Sequence, residues 1–170
     1  MCRKLTAFLT LLMAMAVAAS ANTLVYYKPG DQVADFSLEL TDGGEFVLSE
    51  NAGKIVVVDL WATWCPSCVN YSLPALSFIQ DAYPDDVTVV AVNCGDPAAD
   101  VKAFADDNGY DFPVAIDEEL NILYNYFPTS GIPYTVFIDA EGRLYTTSLG
   151  GGDGTEQHYA EIIDEMLDAQ

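Results

Sequence analysis

Apolar and polar positions follow one another along this chain with different periods, and each period predicts a different element. Ile55 to Leu60 is a β-branched run interrupted only by Asp59, and Val87 to Val92 is a second such run. Runs of this length and composition predict strands buried on both faces, as parallel strands are at the centre of a sheet. From Ser67 to Ala82 the spacing turns helical, with Leu73, Leu76, Ile79 and Tyr83 on one side and Pro74 predicting a kink. Val101, Phe104 and Ala105 mark another helix, stopped by Asn108-Gly109. Tyr159, Ile162, Ile163, Met166 and Leu167 form the i, i+3, i+4, i+7, i+8 stripe of a last one. Shorter segments fill the gaps. DFSLEL and FVLS flank the glycine-rich TDGGE and predict a hairpin near the amino end. A short strand near Val114 and a helical turn over Leu120 to Tyr126 precede a second hairpin, Tyr134–Ile138 and Leu144–Ser148 across Asp139-Ala140-Glu141-Gly142. The order predicts one α/β domain. Parallel strands joined by crossover helices come first, and an antiparallel hairpin closes a mixed sheet.

The first residues obey another pattern. Arg3 and Lys4 precede an uncharged, mostly apolar run from Leu5 to Ala19, and Ala19-Ser20-Ala21 supplies small residues. This is the layout of a secretory signal cut after Ala21. The run is shorter than the roughly 20 apolar residues that cross a bilayer, although a signal left uncut would act as an amino-terminal membrane anchor. Residues 1–21 are read as an export signal and residues 22–170 as the domain. The working compartment is then extracytoplasmic: secreted, periplasmic or at the cell surface.

Charge narrows the partners. The chain carries 26 Asp and Glu against 6 Lys and Arg, a net of −20. Loss of residues 1–21 removes two cations and no acids, which leaves −22. Such a field repels phosphate backbones, so nucleic acid is excluded as a partner, and it favours encounter with basic ones. The acids are dispersed in pairs such as Asp85-Asp86 and Asp106-Asp107, without the spaced oxygen ligands of a calcium loop.

Of the four cysteines, Cys2 leaves with the signal, and Cys65, Cys68 and Cys94 remain. Cys65 and Cys68 follow the Ile55–Leu60 strand directly, where such sheets gather their chemistry at the carboxyl ends of strands. As a structural staple the pair would close a very short loop and gain little chain entropy. As half of a zinc site it would need two more ligands, and only Cys94 and His158 are left to supply them. As a redox pair the spacing is apt. A helix starting near Cys65 sets both sulfurs on one face, a turn apart. Cys65 then lies at the helix amino end, where unpaired N–H groups favour the attacking thiolate. Pro66 fits the first helical position, since its missing N–H costs nothing there. Cys68, one turn deeper, is placed to break the mixed disulfide.

The stretch DLWATWCPSC, residues 59–68, closely resembles the active-site strand and turn of thioredoxin-fold proteins, and WATWC that of the TlpA/ResA-type thiol–disulfide oxidoreductases. The segment from Lys28 to Cys65 resembles that group's amino-terminal extension, VTVVAVNCGD its next strand, and GIPYTVFIDAEGRL its cis-proline strand and hairpin. The resemblance spans residues 28–168. It implies a thioredoxin fold, a central mixed β-sheet flanked by helices with an amino-terminal β-hairpin extension. It implies Cys65 as nucleophile, Cys68 as resolving thiol, and Pro133 after Ile132 as the cis-proline against which substrate docks. Trp64 then covers the site, and Trp61 packs beneath it. Asp59 interrupts a buried strand, where an ionised carboxylate is costly and its pKa should rise. That suits a proton acceptor for Cys68.

Three features depart from the subgroup, the first being Asp59, where TlpA/ResA-type proteins more often have asparagine and thioredoxins have aspartate. The glutamate usual three residues after the second cysteine is replaced by Tyr71, and the following proline, Pro74, arrives one residue late. Tyr134 stands where threonine commonly follows the cis-proline. Cys94 reads as a small core residue or as a third thiol on the active-site side. GGGDG, residues 150–154, lacks the Lys-Ser/Thr of a phosphate loop and reads as a flexible connection, and His158 reads as a surface residue. The expected protein is a monomeric thiol–disulfide oxidoreductase without cofactor or metal. It exchanges disulfides with protein thiols, more as reductase than oxidant, and draws electrons from a membrane-embedded donor. Two rival functions are a peroxiredoxin-like thiol peroxidase and a copper metallochaperone.

Overall fold

The computed structural model describes residues 25–170; the export signal read at 1–21 lies outside them. Seven strands and three α-helices run in the order β1 (Ser37–Glu39), β2 (Glu45–Val47), β3 (Ile55–Trp61), α1 (Leu73–Ala82), β4 (Val87–Cys94), α2 (Ala98–Asn108), β5 (Val114–Asp117), β6 (Tyr134–Ile138), β7 (Leu144–Leu149) and α3 (Thr155–Asp168). β1 and β2 form the small amino-terminal hairpin, and the other five make one sheet ordered β5-β4-β3-β6-β7. β3, β4 and β5 are parallel, while β6 runs antiparallel to both β3 and β7. This is the mixed, helix-flanked sheet of a thioredoxin fold.

β3 is buried along its whole length, because it is the middle strand and both faces are covered. Its side chains alternate between them. Ile55, Val57 and Trp61 join the apolar cluster beneath the helices, with Leu73, Leu76 and Ile79 of α1, Val101 of α2, and Tyr159 and Ile163 of α3. Val56, Val58 and Leu60 face Phe36, Leu38 and Phe46 of the hairpin region, together with Ile122 and Phe127. Each fully buried Val, Leu or Ile contributes about 1.5–3 kcal/mol, so these two layers hold the sheet on which the site is built. No helix among the described residues is long and apolar enough to cross a membrane.

Two central strands outrun their expected ends. β3 continues to Trp61 because Trp61 pairs with Asn93, and β4 continues to Cys94 because Cys94 pairs with Asp117. The kink expected at Pro74 takes a specific form. The backbone is helical over 66–82, but Cys68–Ser72 is a π-turn in which the Leu73 N–H bonds the Cys68 carbonyl. A π-turn absorbs one extra residue within a helix. It thereby accommodates the proline that comes one position late, placing Pro74 in the first turn of α1, where an N–H is not needed.

Candidate active site

Cys65 and Cys68 are joined by a disulfide with their Cα atoms 5.3 Å apart. The backbone turns tightly just before it, with the Cys65 N–H bonding the Ala62 carbonyl at 3.1 Å, and enters the helix at Pro66, which is exposed. The Cys68 N–H points at Cys65 Sγ at 3.2 Å, and Ser67 Oγ lies 3.5 Å from the same sulfur. These donors at a helix amino end stabilise negative charge on sulfur. Cys65 is 4% exposed and Cys68 fully buried, so an incoming sulfur reaches Cys65 first.

The turn is anchored from the neighbouring strand. The Thr63 N–H donates to Asp96 Oδ2 at 2.7 Å, and the Asn93 side-chain amide donates to the same oxygen at 2.9 Å. The Asp96 N–H in return donates to Asn93 Oδ1 at 3.2 Å. The end of β4 therefore fixes the residues that lead into Cys65, a role that VNCGD did not reveal in the sequence.

On the other side, the Ile132–Pro133 peptide is cis. The Ile132 carbonyl oxygen lies 3.8 Å from Cys65 Sγ, and Pro133 is buried. The Gly150 N–H donates to the Pro133 carbonyl at 2.8 Å. The GGGDG stretch, expected as a flexible connection, is thus packed against the site. A β-carbon at Gly151 would lie 3.4 Å from Pro133 Cγ and 3.3 Å from the Ser67 carbonyl oxygen. Gly151 is a site residue missed in the sequence, where a run of glycines signals flexibility sooner than close approach.

Asp59 is fully buried and points to the helical face. Its Oδ1 accepts the Thr135 hydroxyl at 2.7 Å, and its Oδ2 accepts the Ser72 hydroxyl at 2.9 Å. Thr135 is its cross-strand partner in the β3–β6 pair, and Ser72 arrives from the π-turn. Burial pushes the carboxyl up to about 6, against the two hydroxyls that hold it down. Ser72 and Thr135 were legible only as polar residues amid apolar neighbours.

The remaining candidates separate. Cys94 is a buried free thiol on the hairpin face of the sheet, opposite the face of Cys65 and Cys68, so the core reading holds and the third-thiol reading does not. Burial, then the Asp117 charge, push its pKa well above the ordinary thiol range. Trp61 is fully buried and packs on Phe104 at 5.2 Å between ring centroids, whereas Trp64 is 69% exposed. Tyr71 stands outward beside Gly151, and His158 is on the surface. Among the described residues, no group of three or more His, Cys, Asp or Glu side chains is arranged to hold a metal.

Comparison with known proteins agrees with this site. The Redoxin family model matches residues 28–163. The thiol–disulfide oxidoreductase ResA of Halalkalibacterium halodurans is 32% identical over 138 residues, covering 81% of this chain and 76% of that protein. The thioredoxin-like protein YneN of Bacillus subtilis is 35% identical over 127 residues, 72% of each chain. Among solved structures, the exposed lipoprotein thioredoxin Etrx1 of Streptococcus pneumoniae superposes with a TM-score of 0.67 at 31% identity, over 77% of this chain and 99% of that one. With a Cys-x-x-Cys disulfide at the carboxyl end of the central strand of such a fold, this chain belongs to the Redoxin family, as a thioredoxin-like thiol–disulfide oxidoreductase of the TlpA/ResA type.

Proposed function

We propose that this protein works outside the cytoplasm as a thiol–disulfide reductase of other proteins, in three chemical steps. In the reduced enzyme the Cys65 thiolate attacks a substrate disulfide and forms a mixed disulfide. Cys68 gives its proton to Asp59 and attacks Cys65 Sγ, which releases the substrate thiol. A membrane-embedded donor then returns two electrons to the Cys65–Cys68 pair. Residues 1–21 export the chain, and Trp64, Pro66, Ile132 and Pro133 form the surface against which the substrate chain lies. The protein acts as a monomer without a cofactor.

The observation that carries this reading is the asymmetry of the pair. Cys65, 4% exposed, holds its Sγ under the Cys68 N–H and beside the Ile132 carbonyl, while Cys68 is fully buried behind it. One sulfur suits attack by and on a partner, and the other suits internal resolution. Asp59 suits the resolving step, since a buried carboxylate that readily takes a proton assists formation of the Cys68 thiolate.

Two experiments test it. Cys68→Ser should accumulate mixed disulfides with exported proteins, and Cys65→Ser should abolish exchange; exchange that survives Cys65→Ser sinks the reading. The reduction potential, measured by equilibration with dithiothreitol and glutathione buffers, sets the direction. A value near −270 mV, that of thioredoxin, supports a reductase, and one near −120 mV assigns the protein as a disulfide donor.

A further inference from the structure

We propose that Ser72 and Thr135 position Asp59 for proton transfer from Cys68, with Tyr159 fixing the direction of the Thr135 hydroxyl. The proposal rests on the disulfide-exchange reading and adds three residues to it, each acting through Asp59 or its partners.

Counting hydrogens gives the direction of each bond. A hydroxyl has one proton to donate. That of Thr135 goes to Asp59 Oδ1, so the Tyr159 hydroxyl, which also bonds Thr135 Oγ1, must be the donor in that contact. The chain of donation runs from Tyr159 on α3, through Thr135 on β6, to Asp59 on β3. From the other side, Ser72 Oγ lies 2.9 Å from Asp59 Oδ2 and 3.3 Å from the Cys68 carbonyl oxygen. That carbonyl already accepts the Leu73 N–H. The Ser72 hydroxyl can therefore donate to Asp59 without leaving that carbonyl unpaired.

This arrangement suits both charge states of Asp59. With the carboxylate ionised, Thr135 and Ser72 both donate to it. When Asp59 takes a proton on Oδ2, that O–H donates to Ser72 Oγ, and the Ser72 hydroxyl swings to the Cys68 carbonyl. The two hydrogen bonds to the carboxylate become three, the added one falling on the Cys68 carbonyl, and a buried group that changes charge is never left unsatisfied. The π-turn is what makes this possible, since the residue it absorbs brings Ser72 inward while Tyr71 stays at the surface. The other ionisable groups around Asp59 are Cys68 on the helical segment, Tyr159 on α3 and Cys94 at the end of β4, with Asp96 and Asp117 beyond it. The one ion pair among the described residues, Lys102–Asp106, is elsewhere, so hydroxyls are the groups that oppose the effect of burial on Asp59.

In the resolving step the proton passes from Cys68 Sγ to Asp59. The Cys68 thiolate attacks Cys65 Sγ, the Cys65–Cys68 bond forms, and the bond from Cys65 to the substrate sulfur breaks. The substrate leaves as a thiolate with the electron pair and takes a proton from solvent.

The test uses the full domain carrying ¹³C-labelled aspartate. The Asp59 carboxyl signal is assigned by its loss in Asp59→Asn and titrated by NMR, and the pH profile of mixed-disulfide resolution is measured by rapid mixing. Ser72→Ala and Thr135→Val should each raise both midpoints by about 1–2 pH units, the effect of losing one hydrogen bond to a charged group. Thr135→Ser should restore the wild-type midpoint. Tyr159→Phe, which keeps the ring and removes only the hydroxyl, should move it the same way by less, and it carries the test if the other variants fail to fold. An unmoved carboxyl midpoint overturns the proposal, as does a moved carboxyl midpoint with an unmoved rate profile. Failure of the disulfide-exchange reading is seen apart from both, as exchange that persists in Cys65→Ser.

Discussion

Gly151 closes against Pro133, so that the glycine loop before α3 and the cis peptide leading into β6 form one wall beside the disulfide. A β-carbon at Gly151 would lie 3.4 Å from Pro133 Cγ, 3.3 Å from the Ser67 carbonyl oxygen and 3.2 Å from Tyr71 Cβ. The contact joins three separate stretches of chain at a point where no side chain fits comfortably.

Gly151→Val should therefore act on both stability and access. Overpacking of this kind costs about 1–3 kcal/mol, read as a lower urea midpoint. Exchange with a protein disulfide should slow severalfold, while reduction of the Cys65–Cys68 bond by dithiothreitol, a small reagent, changes little. Equal slowing of both would show that the loop does not shape the approach of large substrates.

Asp59 gives a pH signature in stability. Its carboxyl is pushed from 3.8 to about 6 by burial. The folded protein thus binds this proton more tightly than the unfolded chain. Its contribution is most favourable below pH 4 and is lost as pH rises through 6, a difference of about 3 kcal/mol at 1.36 kcal/mol per unit. Asp59→Asn removes the dependence. Urea unfolding should find it about 1–3 kcal/mol more stable than wild type at pH 7.5, with the advantage vanishing as pH falls towards 4. A constant difference across that range would mean that Asp59 does not titrate there in the folded state.

Cys94 should be chemically silent in the native protein. Burial and the nearby Asp117 charge disfavour its thiolate, and the thiolate is the reactive form. After reduction, iodoacetamide at pH 8 should label Cys65 in the native domain and reach Cys94 only once it is unfolded, as located by mass spectrometry of the digested protein. Native labelling of Cys94 would place it within reach of solvent.

The two tryptophans should part company on mutation. Trp61→Ala removes a fully buried ring and should cost about 3–5 kcal/mol. Trp61→Phe should cost less, since the indole N–H it removes has no partner among the described residues. Trp64→Ala should shift stability by no more than about 0.5 kcal/mol, because its ring is largely in solvent, yet it should raise KM for protein substrates. Denaturant melts and exchange kinetics on the same samples check both.

Much of the molecule was legible as pattern. Ile55–Leu60 and Val87–Val92 read as central strands, because a largely apolar, β-branched run with a single polar residue must be covered on both faces. The stripe from Tyr159 to Leu167 announced α3, and Asn108-Gly109 announced the end of α2, where Gly109 adopts the left-handed conformation at φ 64°. The motif at Cys65 and Cys68 announced the chemistry because spacing and helix position both belong to neighbours in sequence. Pro74 announced a kink but not its kind, since a π-turn depends on what the displaced side chains find when they turn inward.

What the sequence alone determined, then, is the part of this protein governed by local physics: strand and helix periods, turn residues, and a reactive sulfur at a helix start. The tertiary structure decided the part that depends on meetings between distant residues. It put Thr135 opposite Asp59 through strand register, Ser72 beneath it through one extra helical residue, Gly151 against Pro133, and Cys94 on the far face of the sheet from the disulfide. A hydroxyl in a sequence carries no mark of which carboxylate it will meet. That is set by packing, where a buried charge is tolerated only if remote parts of the chain bring it partners.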